Sequence, residues 1–310
     1  MIANWAEVEV HEVDRPPMGA TLQRLGDAAG SKNVGVNRIR VQPGRLSTPP
    51  HSHAQSEEIF FVLSGAGLLW QDEEVYEVRA GDTIVHVADR EEHTLLAGPE
   101  GLDVLVYGTR HPAEYGWLPR SRAMRFGYVW VEGRVDDPWT IECEIGDLDF
   151  ADPGARPANV VAVADVEEDE DGDRLVAEAA GSVASGLKWS RRGPGAELAI
   201  PHCHSAEEEV FVVLEGDGTL ELWPSPRPLA GAGHETHSIR TGDVIARPPG
   251  TRVSHFVKAG PNGLTCLVYG TRELNDICYY PRSNKIAFRG VGVLGRIESL
   301  DYWDGEPVRE

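Results

Sequence analysis

The sequence predicts an all-β protein made of one domain present twice, as two β-sandwiches or barrels of about 150 residues each. Three observations predict it. Motifs of the first half return in the second at a nearly constant offset. Each half breaks into short apolar runs separated by Gly, Pro and charged residues. A helical period is sustained nowhere over about ten residues, apart from weak candidates near Leu22–Ala28.

The repeat sets the domain plan. Gly30-Ser31 returns as Gly181-Ser182, and a Pro-Gly follows each with its Gly 14 residues on, at Gly44 and Gly195. His51-Ser-His53 matches His202-Cys-His204 at an offset of 151. Both copies run into Glu-Glu, an apolar run and a glycine: Glu57-Glu58 to Gly65, and Glu208-Glu209 to Gly216. Ala80-Gly81-Asp82 pairs with Thr241-Gly242-Asp243 at an offset of 161. Leu105-Val-Tyr-Gly-Thr-Arg110 equals Leu267-Val-Tyr-Gly-Thr-Arg272 at 162, an offset kept by Pro119-Arg-Ser121 with Pro281-Arg-Ser283 and by Gly133-Arg134 with Gly295-Arg296. Self-similarity of this kind marks a duplicated unit. The break belongs near residues 150–156, giving domains 1–150 and 151–310.

Within each copy the strands follow in order. Runs at 58–63, 67–70, 83–87 and 102–107 are rich in β-branched and aromatic residues and are bounded by turn residues. The ten-residue growth in offset falls between Gly216 and Gly242 and reads as a Pro/Gly-rich hairpin extension at 224–233. The acidic run Asp165–Asp173 reads as a solvated loop early in the second copy.

The 310 residues carry 50 Asp and Glu against 29 Lys and Arg, a formal net charge of -21. Such a surface repels phosphate backbones and anionic lipid, which argues against nucleic-acid and membrane-surface partners. No apolar run approaches the roughly 18–20 residues of a membrane helix, and the first residues lack the pattern of a secretory signal. The four cysteines (Cys143, Cys203, Cys266, Cys278) have no disulfide-framework spacing. The expectation is a soluble cytoplasmic protein with reduced thiols.

His-x-His on a strand puts both imidazoles on one face, so His51 with His53, and His202 with His204, point together while Ser52 and Cys203 point away. Glu58 lies five residues beyond His53, and a turn across Ala54–Ser56 is needed to bring it alongside. From Glu58 the inward set is Phe60 and Val62; from Glu209 it is Phe211 and Val213. His93 and His255 close the two sets. Three imidazoles and a carboxylate suit a borderline divalent cation such as Mn, Fe, Co, Ni, Cu or Zn, with two octahedral positions left open.

These residues resemble the cupin superfamily. Its first motif is a Gly, His-x-His, four residues, Glu, six residues and Gly. Gly44, His51, His53, Glu58 and Gly65 match it, as do Gly195, His202, His204, Glu209 and Gly216, with six residues rather than five after the leading Gly. Its second motif is Gly, five residues, Pro-x-Gly and a His; Gly242, Pro248, Gly250 and His255 follow it with the His two residues late. In the first half Val87-Ala-Asp89 replaces the Pro-x-Gly, and His93 comes one residue late. The resemblance implies a bicupin, two tandem jelly-roll barrels. It also implies up to two divalent ions per chain (Mn, Fe, Ni, Zn or Cu), held by His51, His53, Glu58 and His93 and by His202, His204, Glu209 and His255, with the glutamate mapped onto Glu58 and Glu209, not Glu57 or Glu208.

The remaining candidates read more plainly. His86 occupies the slot of Arg247 and either lines the pocket or sits on its rim. His11, His111, His234 and His237 read as surface, Cys203 as a small apolar filler, and Trp70, Trp223, Tyr107 and Tyr269 as core, the two tyrosines also being able to present hydroxyls inward. Arg110, Arg120, Arg272 and Arg282 read as turn or inter-barrel residues. Cupins include dioxygenases, decarboxylases, isomerases, sugar binders and storage proteins, so the resemblance implies no single function. The preferred expectation is a metal-dependent oxidoreductase of dioxygenase type acting on a small organic molecule, with Glu58 or Glu209 tuning the metal or shuttling a proton. A binding or sensing protein with a structural metal, and a decarboxylase or isomerase, are the alternatives. The Ser-Glu-Asn-Ser-Thr lid stretch of bicupin oxalate decarboxylases is absent, and a storage role is disfavoured because both ligand sets are present. Self-association into a homo-oligomer is left open. The hairpin extension, read as a lid, favours the second barrel as the reacting one.

Overall fold

The computed structural model describes residues 1–89, 91–126, 129–131, 137–227, 229 and 231–307, with backbone alone for 129–131. Gly133 and Arg134 of the repeat, and Pro228 and Ala230 of the hairpin extension, lie outside the described residues.

The fold is two tandem jelly-roll barrels, each formed by a large antiparallel sheet and a four-stranded one. In the first, the large sheet is centred on Glu58–Gln71 between Asp82–His86 and His93–Thr109, followed by Val34–Val41, Met18–Gln23 and His11–Arg15. Its small sheet runs from Ser52–His53 through Tyr115–Leu118 and Ala123–Phe126 to Val129–Val131. The second barrel repeats the plan with Glu209–Pro224 between Asp243–Arg247 and Val253–Thr271, and with Cys203–His204 beside Ile277–Tyr280.

The long central strands bend where the register slips, at Val62/Ser64 and Gly65/Gly67 in one barrel and Val213/Glu215 and Gly216/Gly218 in the other. Gly65 and Gly216 take φ of 84° and 89°, and a Cβ on either would come within 2.2 Å of the facing carbonyl of Gly101 or Gly263. Only glycine fits there. The bend lets one strand serve two parts of its barrel.

Alternation sorts the side chains as the sequence reading expects. Phe60 and Val62 join Ile84, Leu95, Val104 and Val106 inside the first barrel, and Phe211 and Val213 do the same inside the second. Ile59, Phe61, Val210 and Val212 face the other way into a core shared by both barrels. Tyr107 and Tyr269 stack at its centre, 5.1 Å between ring centroids. Both are fully buried there, so their hydroxyls do not enter the barrels.

Each half also lends the other a strand. Ile2–Asn4 pairs with Asp243–Arg247, and Val160–Ala162 pairs with Asp82–His86. Two helices fall at positions read differently from sequence. The weak candidate becomes Leu25–Ala29, ended by Gly30 in the left-handed region, and a helix over Pro138–Ile145 was not expected. Its start, Asp137-Pro138, is a recognisable helix-opening signal, because proline at the first turn loses no hydrogen bond.

Candidate metal centres

In the first barrel the small sheet carries His53, with His51 just before it, and the large sheet supplies Glu58 and His93 from neighbouring strands. The turn across 54–57 reverses the chain, so Glu58 returns on the face to which His51 and His53 point. The Nε2 atoms of His51, His53 and His93 lie 3.8, 3.6 and 3.0 Å from one oxygen, Glu58 Oε2. In the second barrel His202, His204 and His255 lie 3.2, 3.6 and 2.7 Å from Glu209 Oε2. Adjacent donors around an octahedral ion at roughly 2.1 Å stand about 3 Å apart. The structure thus gathers His51, His53, Glu58 and His93 in one set and His202, His204 and Glu209 in the other, with His255 at 2.7 Å from Glu209 but outside the mutual spacing of that second set.

The hydrogen bonds behind the rings fix what the sets can hold. His51 Nδ1 donates to Pro49 O at 3.0 Å, His93 Nδ1 to Glu91 O at 3.2 Å and His202 Nδ1 to Ile200 O at 2.7 Å. His53 Nδ1 donates to Glu114 at 3.2 Å, and His204 Nδ1 to Asp276 at 2.7 Å. Carbonyls and carboxylates only accept, so in these five rings Nδ1 carries a proton, and a ring that is neutral turns an Nε2 lone pair to the centre. Lone pairs converging on a carboxylate oxygen require a positive charge among them. Hydrogen-bonded imidazoles of this kind are what protein metal sites use, and the residues fit a divalent ion.

The electrostatics agree. Burial, then the neighbouring His93 and His53, push His51 down to about 3, and burial pushes His255 down to about 3 in spite of Glu209. Burial works against both His53 and His204. Yet Glu58 and the Glu114 hydrogen bond lift His53 to about 10, and hydrogen bonds to Asp276 and Glu209 lift His204 to about 10. Glu58 and Glu209 stay well below the usual carboxylate range against their own burial, held there chiefly by His53 and by His202 respectively. Each set therefore holds an anion and draws one positive charge to it.

Glu114 and Asp276 were missed from sequence. They are equivalent positions of the repeat, but the residue type changes and neither lies near one of the donor histidines in the chain. Glu57 and Glu208, set aside as non-ligands, are buried at the barrel junction. Glu57 accepts from Ser182 Oγ at 2.5 Å, from Val183 N at 2.8 Å and from Ser185 Oγ; Glu208 accepts from Lys32 N at 3.0 Å and Asn33 N at 2.6 Å. Arg110 and Arg272 pair with Asp27 and Glu178 beside the same loops.

His86 is buried, not on a rim. Its ring lies flat on His93, 3.7 Å between centroids. Cys203 stands opposite Tyr279 and is outside the donor set. Asp89, at φ 55°, takes the left-handed place that Gly250 holds at 69°, and their amides donate equivalently to His53 O and His204 O. The first barrel thus keeps the turn without its Pro-x-Gly letters.

The first centre opens into a cavity of about 640 Å³ with an apolar wall that includes Val13, Leu22, Ile39, Val106 and Trp139. The second opens into about 450 Å³, bordered by Leu198, Ile200, Cys278 and Tyr280. The hairpin extension, expected as a lid, lines this cavity with none of its described residues, and its Arg227 bonds to Leu300 O. Its length was legible from the repeat; its direction was not. Among the described residues no helix is long and apolar enough to cross a membrane.

Residues 37–106 match the family model described as Cupin domain. Over 44 residues the chain is 53% identical to an uncharacterised protein of Methanocaldococcus jannaschii, a match covering 14% of this chain and 35% of that protein's length. Among solved structures, one concerned with the Mn(II) centres of Bacillus subtilis oxalate decarboxylase is 13% identical, with 89% of this chain and 78% of that chain covered and a TM-score of 0.57. The formate complex of Lactobacillus farciminis oxalate decarboxylase is 13% identical, covering 88% and 86% with a TM-score of 0.57. At that identity the likeness is one of fold.

Proposed function

Starting from a two-barrel member of the cupin superfamily, we propose that this protein is a metal-dependent enzyme acting on a small organic molecule. In this reading 1–150 and 151–310 are its domains. His51, His53, Glu58 and His93 hold one divalent ion, and His202, His204, Glu209 and His255 hold a second. The observation that carries the reading is the opening of the first donor set into the larger, mainly apolar cavity. That opening, with no described residue of the hairpin extension lining the second cavity, moves the preference for the reacting centre from the second barrel to the first.

A bound ion would supply Lewis acidity and, in a redox-active form, the means to engage dioxygen. The chain supplies the rest. Glu114 and the Pro49 and Glu91 carbonyls hold the imidazoles in one orientation. His86 and Phe60 pack against His93 and keep it from turning. Val13, Leu22 and Trp139 give an apolar body a dry wall to lie on. Glu58 balances charge at the centre and is placed to take or return a proton on the open side.

The apolar wall favours the dioxygenase-type reading. A redox-neutral decarboxylase is the second reading, favoured by the likeness to oxalate decarboxylases. Protein loaded with Fe(II) or Mn(II) and offered hydroxylated aromatic acids and small dicarboxylates separates them. Dioxygen uptake matched to product supports the first reading, and CO₂ release without dioxygen uptake supports the second. Neither, with metal retained, leaves a binding protein. Self-association belongs to the same proposal, supported by the exposed Leu274, Val291, Leu294 and Tyr302, and sedimentation velocity tests it.

A further inference from the structure

The donor sets of the two barrels correspond residue for residue, but the residue facing each glutamate across the sheet does not. Glu58 is the cross-strand partner of His86, and Glu209 is that of Arg247. Directly opposed residues of an antiparallel pair share a face of the sheet at Cα separations of about 4.5–5.5 Å. Each neighbour therefore stands inside its barrel, beside the carboxylate. His86 is 3% exposed, and neither of its ring nitrogens has a hydrogen-bond partner. Arg247 donates from Nη2 to Val253 O at 3.1 Å and its Nε is buried without a partner; among the described residues it forms no ion pair.

Three neutral imidazoles and one carboxylate around a divalent ion leave a net charge of one. The guanidinium, always protonated in proteins, adds a second at the Arg247 centre, where Asp276 only matches Glu114 of the first centre and Glu207, 3.7 Å from His204, is already paired with Arg289. We propose that Arg247 makes the two metal centres unequal, so that the second barrel holds its divalent ion more weakly than the first. This inference rests on the metal reading above. A unit charge about 7 Å from a divalent ion, at an effective dielectric of about 20, weakens binding by a factor on the order of a thousand. The first centre, with an imidazole in that place, escapes the repulsion.

The test is a titration of metal-free, full-length protein with Mn²⁺ alone, followed by electron paramagnetic resonance with chelator competition. The wild type shows two classes of site at least about tenfold apart. His202→Ala/His204→Ala abolishes the weak class, and His51→Ala/His53→Ala abolishes the tight one. Arg247→Gln draws the weak class toward the tight one, Arg247→Lys leaves it weak, and His86→Arg weakens the tight class. Two equal affinities in the wild type, or a weak class that maps to the first barrel, overturn the inference; neither result depends on a variant at position 247 folding. A folded Arg247→Gln protein with unchanged affinities also overturns it. Failure to take up Mn²⁺ at either site would remove the metal reading itself, whereas two equal sites remove only this inference.

Discussion

Ser182 of the second barrel donates to the Glu57 carboxylate of the first at 2.5 Å, while Glu58, the next residue, faces three imidazoles. Two consecutive glutamates thus serve different ends, because successive side chains of a strand point to opposite faces. Glu57 joins the barrels; Glu58 stands in the candidate metal centre.

Substitution should separate the two roles. Glu57→Ala leaves Ser185 Oγ and Val183 N without their acceptor in a buried junction, with Ser182 Oγ falling back on Ser185 O, which costs on the order of 2–4 kcal/mol. It should lower the urea midpoint while metal content per folded chain stays at the wild-type value. Glu58→Ala should do the reverse, losing metal from the first barrel with a smaller change in stability. Greater metal loss from Glu57→Ala contradicts the assignment.

Much of this division was legible in the sequence. Alternation from Glu58 through Phe60 and Val62 tells inward from outward, and the repeated His-x-His and glutamate give both donor sets. What was not legible depends on contacts far apart in the chain. Glu57 meets a loop more than a hundred residues away. Ile2–Asn4 and Val160–Ala162 are too short to announce a partner strand, so their exchange between barrels has no local signal. Asp276 and Glu114 do one job with different side chains, and that substitution hides them from a letter-by-letter repeat.

Asp276 and Glu114 should matter through the histidines they orient. Asp276→Asn or Glu114→Gln should weaken metal binding in its own barrel by roughly 10–100-fold, the usual effect of removing a partner behind a metal-bound imidazole. Isothermal titration against a competing chelator measures it. Unchanged affinity in both variants would show that these carboxylates do not set the ring orientation.

Acid should reveal the Asp173 cluster. Asp173 is buried against Lys188, Ser190 and Arg192. Burial raises its pKa, but the Lys188 charge and the hydrogen bonds outweigh that and the net shift is downward. A depressed folded pKa means the stabilisation is complete above the unfolded value of about 3.9 and is lost as pH falls through the folded one. The stability gap between wild type and Asp173→Asn should be constant above about pH 5 and shrink below about pH 4. A gap that widens in acid contradicts the pairing.

Once a substrate is found, His51→Ala/His53→Ala should abolish turnover by at least about a thousandfold, while His202→Ala/His204→Ala keeps most of it. Both variants need a native circular-dichroism spectrum for the comparison to count. Activity lost only in the second variant would return the chemistry to the second barrel.

The central claim is that the two donor sets are metal centres built from imidazole and carboxylate. Elemental analysis combined with X-ray absorption, on protein purified without chelators and reconstituted with Mn, Fe, Ni or Zn, tests it most directly. The account predicts a content approaching two divalent ions per chain, with nitrogen and oxygen scattering at roughly 2.0–2.2 Å and no change in Cys203→Ser. A content that stays near zero with all four metals, or a metal–sulfur path that disappears in Cys203→Ser, would contradict it.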